Sequence, residues 1–130
     1  MSDLNSINFS GTDSYLQAAM SGLAARQRTI ANNVANVDTP GFKTSEVRFE
    51  DVLNRAVKGA KTGARVNQSA LDAAARASTL ADGTTTRADG NNVDIDQQME
   101  MLSEANLNYS ALTQVMSTRL GILRSVIKGQ

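Results

Sequence analysis

Apolar residues return in steps of three and four at both ends of this chain and almost nowhere between them. Leu16, Met20, Leu23, Ile30, Val34 and Val37 keep that rhythm, with Gln27 in the missing slot. Toward the other terminus Ile95, Met99, Leu102, Tyr109, Met116, Leu120, Leu123 and Ile127 repeat it through Asn106 and Thr113. Seams of this period lie against other helices. The pattern predicts an all-α fold: long N- and C-terminal helices with coiled-coil-like seams, and a largely irregular, flexible middle segment. Leu16, Leu23, Ile30, Met99, Tyr109, Leu120 and Leu123 are the positions this periodicity selects for an assembly interface.

The first helix is expected at about 13 to 37, capped by Thr12 or Asp13, after a polar leader over residues 1–11. Small residues (Ala18, Ala19, Ala24, Ala25, Ala31 and Ala35) surround its seam and permit close approach by a neighbour. Asn32, Asn33 and Asn36 then crowd its last turns, although asparagine is a mediocre helix former. Two readings stay open for them: a frayed end with exposed amides, or amides that bridge to neighbouring subunits. Asp38-Thr39-Pro40-Gly41 stops the helix, because Pro40 pushes Thr39 out of the helical region and Pro-Gly suits the centre of a type II turn. Phe42, Val47 and Phe49 suggest an extended stretch, followed by a short amphipathic helix at about 50 to 58.

From Gly59 to Asn92 the apolar signal collapses into Gly, Ala, Thr, Asp and Asn, too little burial to offset ordering. A mobile arm is expected there, with a hairpin at Asp82-Gly83 left open. Gly90 to Asp96 leads into the last helix, expected from about 95 to 127. Asp94 with Gln97 resembles a capping box, and Val93 is placed for a staple. Asp96, Glu100 and Glu104 near the helix start and Arg119, Arg124 and Lys128 near its end suit the dipole. Leu112, Val115, Ile122 and Val126 widen the apolar surface beyond one seam, which suggests two or more neighbours. The expected organisation is thus a leader over 1–11, a helix, turn and short segment over 12–58, an arm over 59–89, and an entrance loop with a long helix over 90–130.

Composition narrows the chemistry. Of 130 residues only three are Phe and two Tyr, with no Trp, so a large core is not on offer. Thirteen basic residues balance thirteen acidic ones, leaving no electrostatic footprint for nucleic acid. The cluster Arg55, Lys58, Lys61 and Arg65 has no interleaved aromatics and reads as a solvated linker. With no His and no Cys, structural disulfides, cysteine zinc sites and histidine acid–base chemistry are excluded. The acidic pairs Asp94 with Asp96 and Glu100 with Glu104 are explained by helix-end charge, and no nucleophile elbow or phosphate-cradling loop accompanies the Ser, Thr and Lys residues. Catalytic, cofactor-binding and metal-binding residues are therefore expected to be none. Gln27, Asn106 and Thr113, polar on an apolar seam, read as register or partner selectors. The start of the chain has no basic, apolar leader and neither helix has the apolar length of a membrane span, so neither a cleaved secretory signal nor a direct span is expected.

Leu23-Ala24-Ala25-Arg26-Gln27 and Ala31-Asn32-Asn33-Val34-Ala35-Asn36-Val37-Asp38-Thr39-Pro40-Gly41-Phe42-Lys43 resemble the N-terminal motif of bacterial flagellar rod and hook proteins. Phe49-Glu50-Asp51-Val52-Leu53, Gly90-Asn91-Asn92-Val93-Asp94, Met99, Tyr109-Ser110-Ala111-Leu112 and Leu123-Arg124-Ser125-Val126-Ile127 are similar to the basal-body rod members of that axial superfamily. The resemblance covers about residues 12–58 and 89–128. It implies a structural subunit of the proximal rod that connects the membrane ring to the distal rod, transmits torque and helps form the export channel. The implied partners are other copies of the chain, sister proximal-rod proteins, the rod adaptor and membrane-ring region, and the flagellar type III export apparatus. The implied location is the periplasmic rod of the basal body, reached without signal cleavage. The motif residues it carries over are Asn32, Asn33 and Asn36 at an assembly interface, Thr39, Pro40 and Gly41 at the turn, and Asn91, Asn92, Val93 and Asp94 at the entrance. The competing reading is a non-flagellar helical adaptor or secretion-system component using the same two helices; a small enzyme is the third and lacks its residues.

Overall fold

The structure is a computed structural model that describes residues 9–61, 69, 73, 79–80 and 86–129. Its elements are α1 (Phe9–Ala35), β1 (Ser45–Glu46), α2 (Glu50–Lys61), β2 (Thr79–Leu80) and α3 (Ile95–Lys128). The two long helices carry the fold, as the two seams predict. The only strand pairing among the described residues is a two-residue antiparallel bridge, Ser45 opposite Leu80 and Glu46 opposite Thr79.

At ~1.5 Å per residue, the 27 residues of α1 and 34 of α3 run roughly 40 and 50 Å. They lie antiparallel, and three polar contacts give their register. Asp13 pairs with Arg119 at 2.9 Å, Gln27 Nε2 donates to Asn106 Oδ1 at 2.8 Å, and Asn33 Nδ2 donates to Gln98 Oε1 at 2.8 Å. Gln27 and Asn106, the polar members of the two seams, thus meet each other. The Thr113 hydroxyl instead donates to the Tyr109 carbonyl of its own helix at 2.9 Å.

Helix ends differ instructively from expectation. α1 begins at Phe9, so Asp13 lies inside the helix and holds Arg119 instead of acting as a cap. The helix closes at Ala35 and then tightens, Asn36 N–H reaching both the Asn32 and Asn33 carbonyls at 3.2 Å. Thr39 to Phe42 forms the expected turn, with Gly41 at φ 74° and Phe42 N–H returning to the Thr39 carbonyl at 3.3 Å. On α3 the reading holds closely. Asp94 caps the start by accepting the Gln97 N–H at 3.2 Å, and Gly129 in left-handed conformation ends it.

A small apolar core fills the angle between the helices and the segment after the turn. It comprises Ala18, Ala19, Leu23 and Ala25 of α1, Val47 and Phe49 after β1, Leu53 of α2 and Ala105 of α3. Tyr15, Val52, Tyr109 and Leu112 close over it. Alanines at the contact let backbones approach, which is how so few large side chains suffice. Gly22 completes the device: a methyl group there would overlap the Phe49 ring. Arg26 clamps the same segment, with its guanidinium 4.9 Å from the Phe49 centroid, a bond to the Val47 carbonyl at 2.8 Å and an ion pair to Glu50.

α2 is longer than its sequence signal, reaching Lys61, so Arg55, Lys58 and Lys61 belong to a helix and not to a linker. Arg65, the Asp82-Gly83 hairpin and most of the arm expected over 59–89 lie outside the described residues. The arm's root is described: β1 pairs with β2, and Lys43 Nζ donates to Thr86 Oγ1 at 3.2 Å.

Candidate functional site

Two loops meet at the end of the hairpin where α1 stops and α3 starts, and asparagine side chains join them. Residues 36–45 have little regular pairing of their own, so their backbone groups need partners from elsewhere. Asn33, 1% exposed, faces this loop from the last full turn of α1. Its amide donates to the Ser45 carbonyl at 2.8 Å as well as to Gln98, while its Oδ1 accepts the Ser45 N–H at 3.0 Å. Asn91, fully buried, donates to the carbonyls of Asn36 at 2.9 Å and Thr39 at 2.8 Å and accepts the Val93 N–H at 2.7 Å. Asn92 accepts the Thr44 N–H at 2.7 Å, and its own N–H goes to the Phe42 carbonyl.

Main-chain contacts finish the latch. Gly41 N–H donates to the Asp89 carbonyl at 2.9 Å, and Arg87 N–H to the Asn91 carbonyl at 2.7 Å. The Arg87 side chain donates to the Val37 carbonyl. Gly90 adopts φ 83°, and a Cβ there would lie 3.3 Å from Gly41 Cα. Both a left-handed backbone and a close approach therefore require glycine at that position. Buried amides arranged this way recognise backbone, those of Asn33 and Asn91 serving as donor and acceptor at once.

Most of the sequence-selected residues converge here, though not all in the same sense. Asn33, Asn91, Asn92 and Val93 are buried within the subunit, whereas Asn32, Thr39, Pro40, Gly41 and Asp94 are exposed and Asn36 is half-buried. Of the two readings of the asparagine cluster, neither describes Asn33: its amide is neither exposed nor turned outward, but spent inside the chain. Leu16, Leu23 and Ile30 are likewise buried in the single subunit. Tyr109 and Leu123 are half-buried, while Met99 and Leu120 stand about half exposed.

The face of α3 turned to α1 follows Gln98, Leu102, Ala105, Tyr109, Leu112, Met116, Arg119 and Leu123. This stripe shares every second member with the sequence seam but leans to its other shoulder, leaving Ile95, Met99, Leu120 and Ile127 outside. Sequence reasoning passed over Gln98, Arg87, Arg26 and Gly22. Gln98 has a signal, since it sits four and seven residues before Leu102 and Ala105 of this stripe. Arg87 had none, because its partner is a main-chain carbonyl 50 residues away.

Two long helices closed by backbone-recognising amides, with a bare apolar surface on the longer one, define a helical structural subunit. Among the described residues no group of side chains is placed to hold a metal ion. A family model described as "Flagella basal body rod protein" matches residues 16–43, from the middle of α1 through the Pro-Gly turn. Flagellar basal body rod protein FlgB of Bacillus subtilis (strain 168) is 35% identical over 125 residues, covering 93% of this chain and 96% of the relative. FlgB of Borrelia hermsii is 36% identical over 118 residues (82% and 87%), and FlgB of Escherichia coli (strain K12) is 23% identical over 125 (88% and 91%). The chain belongs to the flagellar basal body rod protein FlgB family, whose members are non-catalytic structural subunits of the rod.

Proposed function

We propose that this protein builds the proximal part of the flagellar rod, joining the membrane ring to the distal rod, passing torque along the axis and helping to line the export channel. The observation that carries this reading is the apolar surface of α3 that the described residues leave bare. Val115 and Leu120 are 51% exposed, Ile122 59%, Val126 72% and Ile127 85%. In water such a surface is a liability; against neighbouring helices it is an interface. Asn32, Asn36, Met99, Tyr109, Leu120 and Leu123 are the interface residues still accessible on the hairpin. Leu16, Leu23, Ile30 and Asn33 support that surface from inside.

Partners in this reading are further copies of the chain, sister proximal-rod proteins, and the rod adaptor at the membrane ring. Delivery is by the flagellar type III apparatus to the periplasmic rod without signal cleavage. No helix among the described residues is long and apolar enough to cross a membrane. The mechanism is mechanical, because a latched hairpin resists bending at its loop end while its free apolar end engages neighbours. The test is electron microscopy of basal bodies from a strain lacking the gene beside a complemented control. Rings without a rod are expected; complete, rotating basal bodies would overturn the proposal.

A further inference from the structure

The apolar seam between α1 and α3 does not choose its own register. Leu16, Leu23 and Ile30 are spaced by seven, and so are Leu102, Tyr109, Met116 and Leu123. The three polar contacts set Leu16, Leu23 and Ile30 level with Met116, Tyr109 and Leu102. A slip of seven residues, about 10 Å along the axis, would set each of these large side chains level with another of the same kind. Alanines at positions 18, 19, 25 and 105 roughen the contact little, so they oppose such a slip weakly.

The polar groups are not degenerate in this way. After a seven-residue slip Asp13 would face Leu112 or Val126 in place of Arg119. Gln27 would face Met99 or Thr113 in place of Asn106. Asn33 would face Ala105, or run past the start of α3 altogether. The latch reinforces the same choice, since Asn91 stands only four residues before α3 and its carbonyl partners only one and four residues after α1. A slip of about 10 Å would pull it out of reach of both and strand buried polar groups. A polar residue on an apolar seam specifies register in this manner generally.

We propose that the polar contacts at Gln27–Asn106 and Asn33–Gln98 select one register of the α1–α3 hairpin from an apolar seam that accepts several. The consequence is conformational: the register decides how far the bare end of α3 extends beyond α1. This is a property of the single chain, so its failure leaves the rod proposal standing, and the reverse also holds.

The chain contains no cysteine, so a spin-label pair at Arg28→Cys and Ser117→Cys, both exposed sites, is unique. Pulsed electron–electron distance measurement on the otherwise unaltered full chain should give one narrow distance. In Gln27→Leu/Asn106→Leu/Asn33→Ala a second population displaced by about 10 Å is expected, with helix content retained. Leu23→Ala, a seam change, should unfold earlier yet keep the single distance. If the triple variant keeps one native distance, or Leu23→Ala itself displaces the helices, the seam or the latch sets the register and the proposal falls. Should the triple variant lose its helices, Gln27→Leu/Asn106→Leu/Gln98→Leu decides, since it removes both contacts while Asn33 keeps its bonds to Ser45. That variant leaves the Asn33 amide paired with Ser45, and a second distance supports the proposal while a single native one overturns it.

Discussion

At the scale of single residues, the molecule separates asparagines that look alike in sequence. Asn32 and Asn33 are neighbours, yet one is exposed and the other serves three bonds inside the chain. Asn33→Ala should therefore cost about 2 kcal/mol or more, because it strands both groups of Ser45. Asn32→Ala should stay within about 0.5 kcal/mol. Urea denaturation of the two variants checks the ranking, and equal midpoints would contradict it. Gly22 gives a second test. Gly22→Ala pushes the Phe49 ring off α1, an overpacking cost of about 1–3 kcal/mol. Amide exchange should then accelerate from Val47 to Leu53 while α3 is little changed. The asparagine roles are not legible in the sequence, since partners 12 to 65 residues away leave no local trace.

At the scale of elements, α3 stands largely on local signals and α1 does not. Cap, period and charge placement agree along α3, and its observed start coincides with the expected one. Removing the cap by Asp94→Ala should cost about 1 kcal/mol and speed exchange of the first-turn amides, with the middle of the helix unaffected. α1 starts ahead of Asp13 because that residue, a good cap in sequence terms, is used four positions into the helix as the partner of Arg119. That pair is partly exposed, so Asp13→Asn should lower stability by under about 1 kcal/mol. The length of α2 was also underread, as its basic end resembles a linker in composition while its helical period continues.

For the whole molecule, the question is what the bare end of α3 meets. Leu120→Asp places a charge on that surface without touching the latch or the apolar core. Circular dichroism of the isolated protein should remain that of the parent, while incorporation into purified rods falls several-fold. Gln114→Ala, an exposed polar position on the same helix, should incorporate normally. Equal incorporation of both would mean that this surface is not the assembly face.

Taken by itself, the sequence determined the two helices, the Pro-Gly turn, the cap at Asp94 and the polar pair on the seam. Each of these is written in residues within a few positions of one another, where propensity, period and turn chemistry act directly. Tertiary structure alone decided which face of α3 turns to α1, which asparagines are buried and why Gly22, Gly90 and Arg26 are needed. Those outcomes depend on groups brought together from well beyond a helical turn, from Asn33 with Ser45 to Asp13 with Arg119, where a residue's role follows from whatever the fold places against it. Periodicity showed that a seam exists; only the docked helices showed which of its polar members find partners and which apolar ones are left for another subunit.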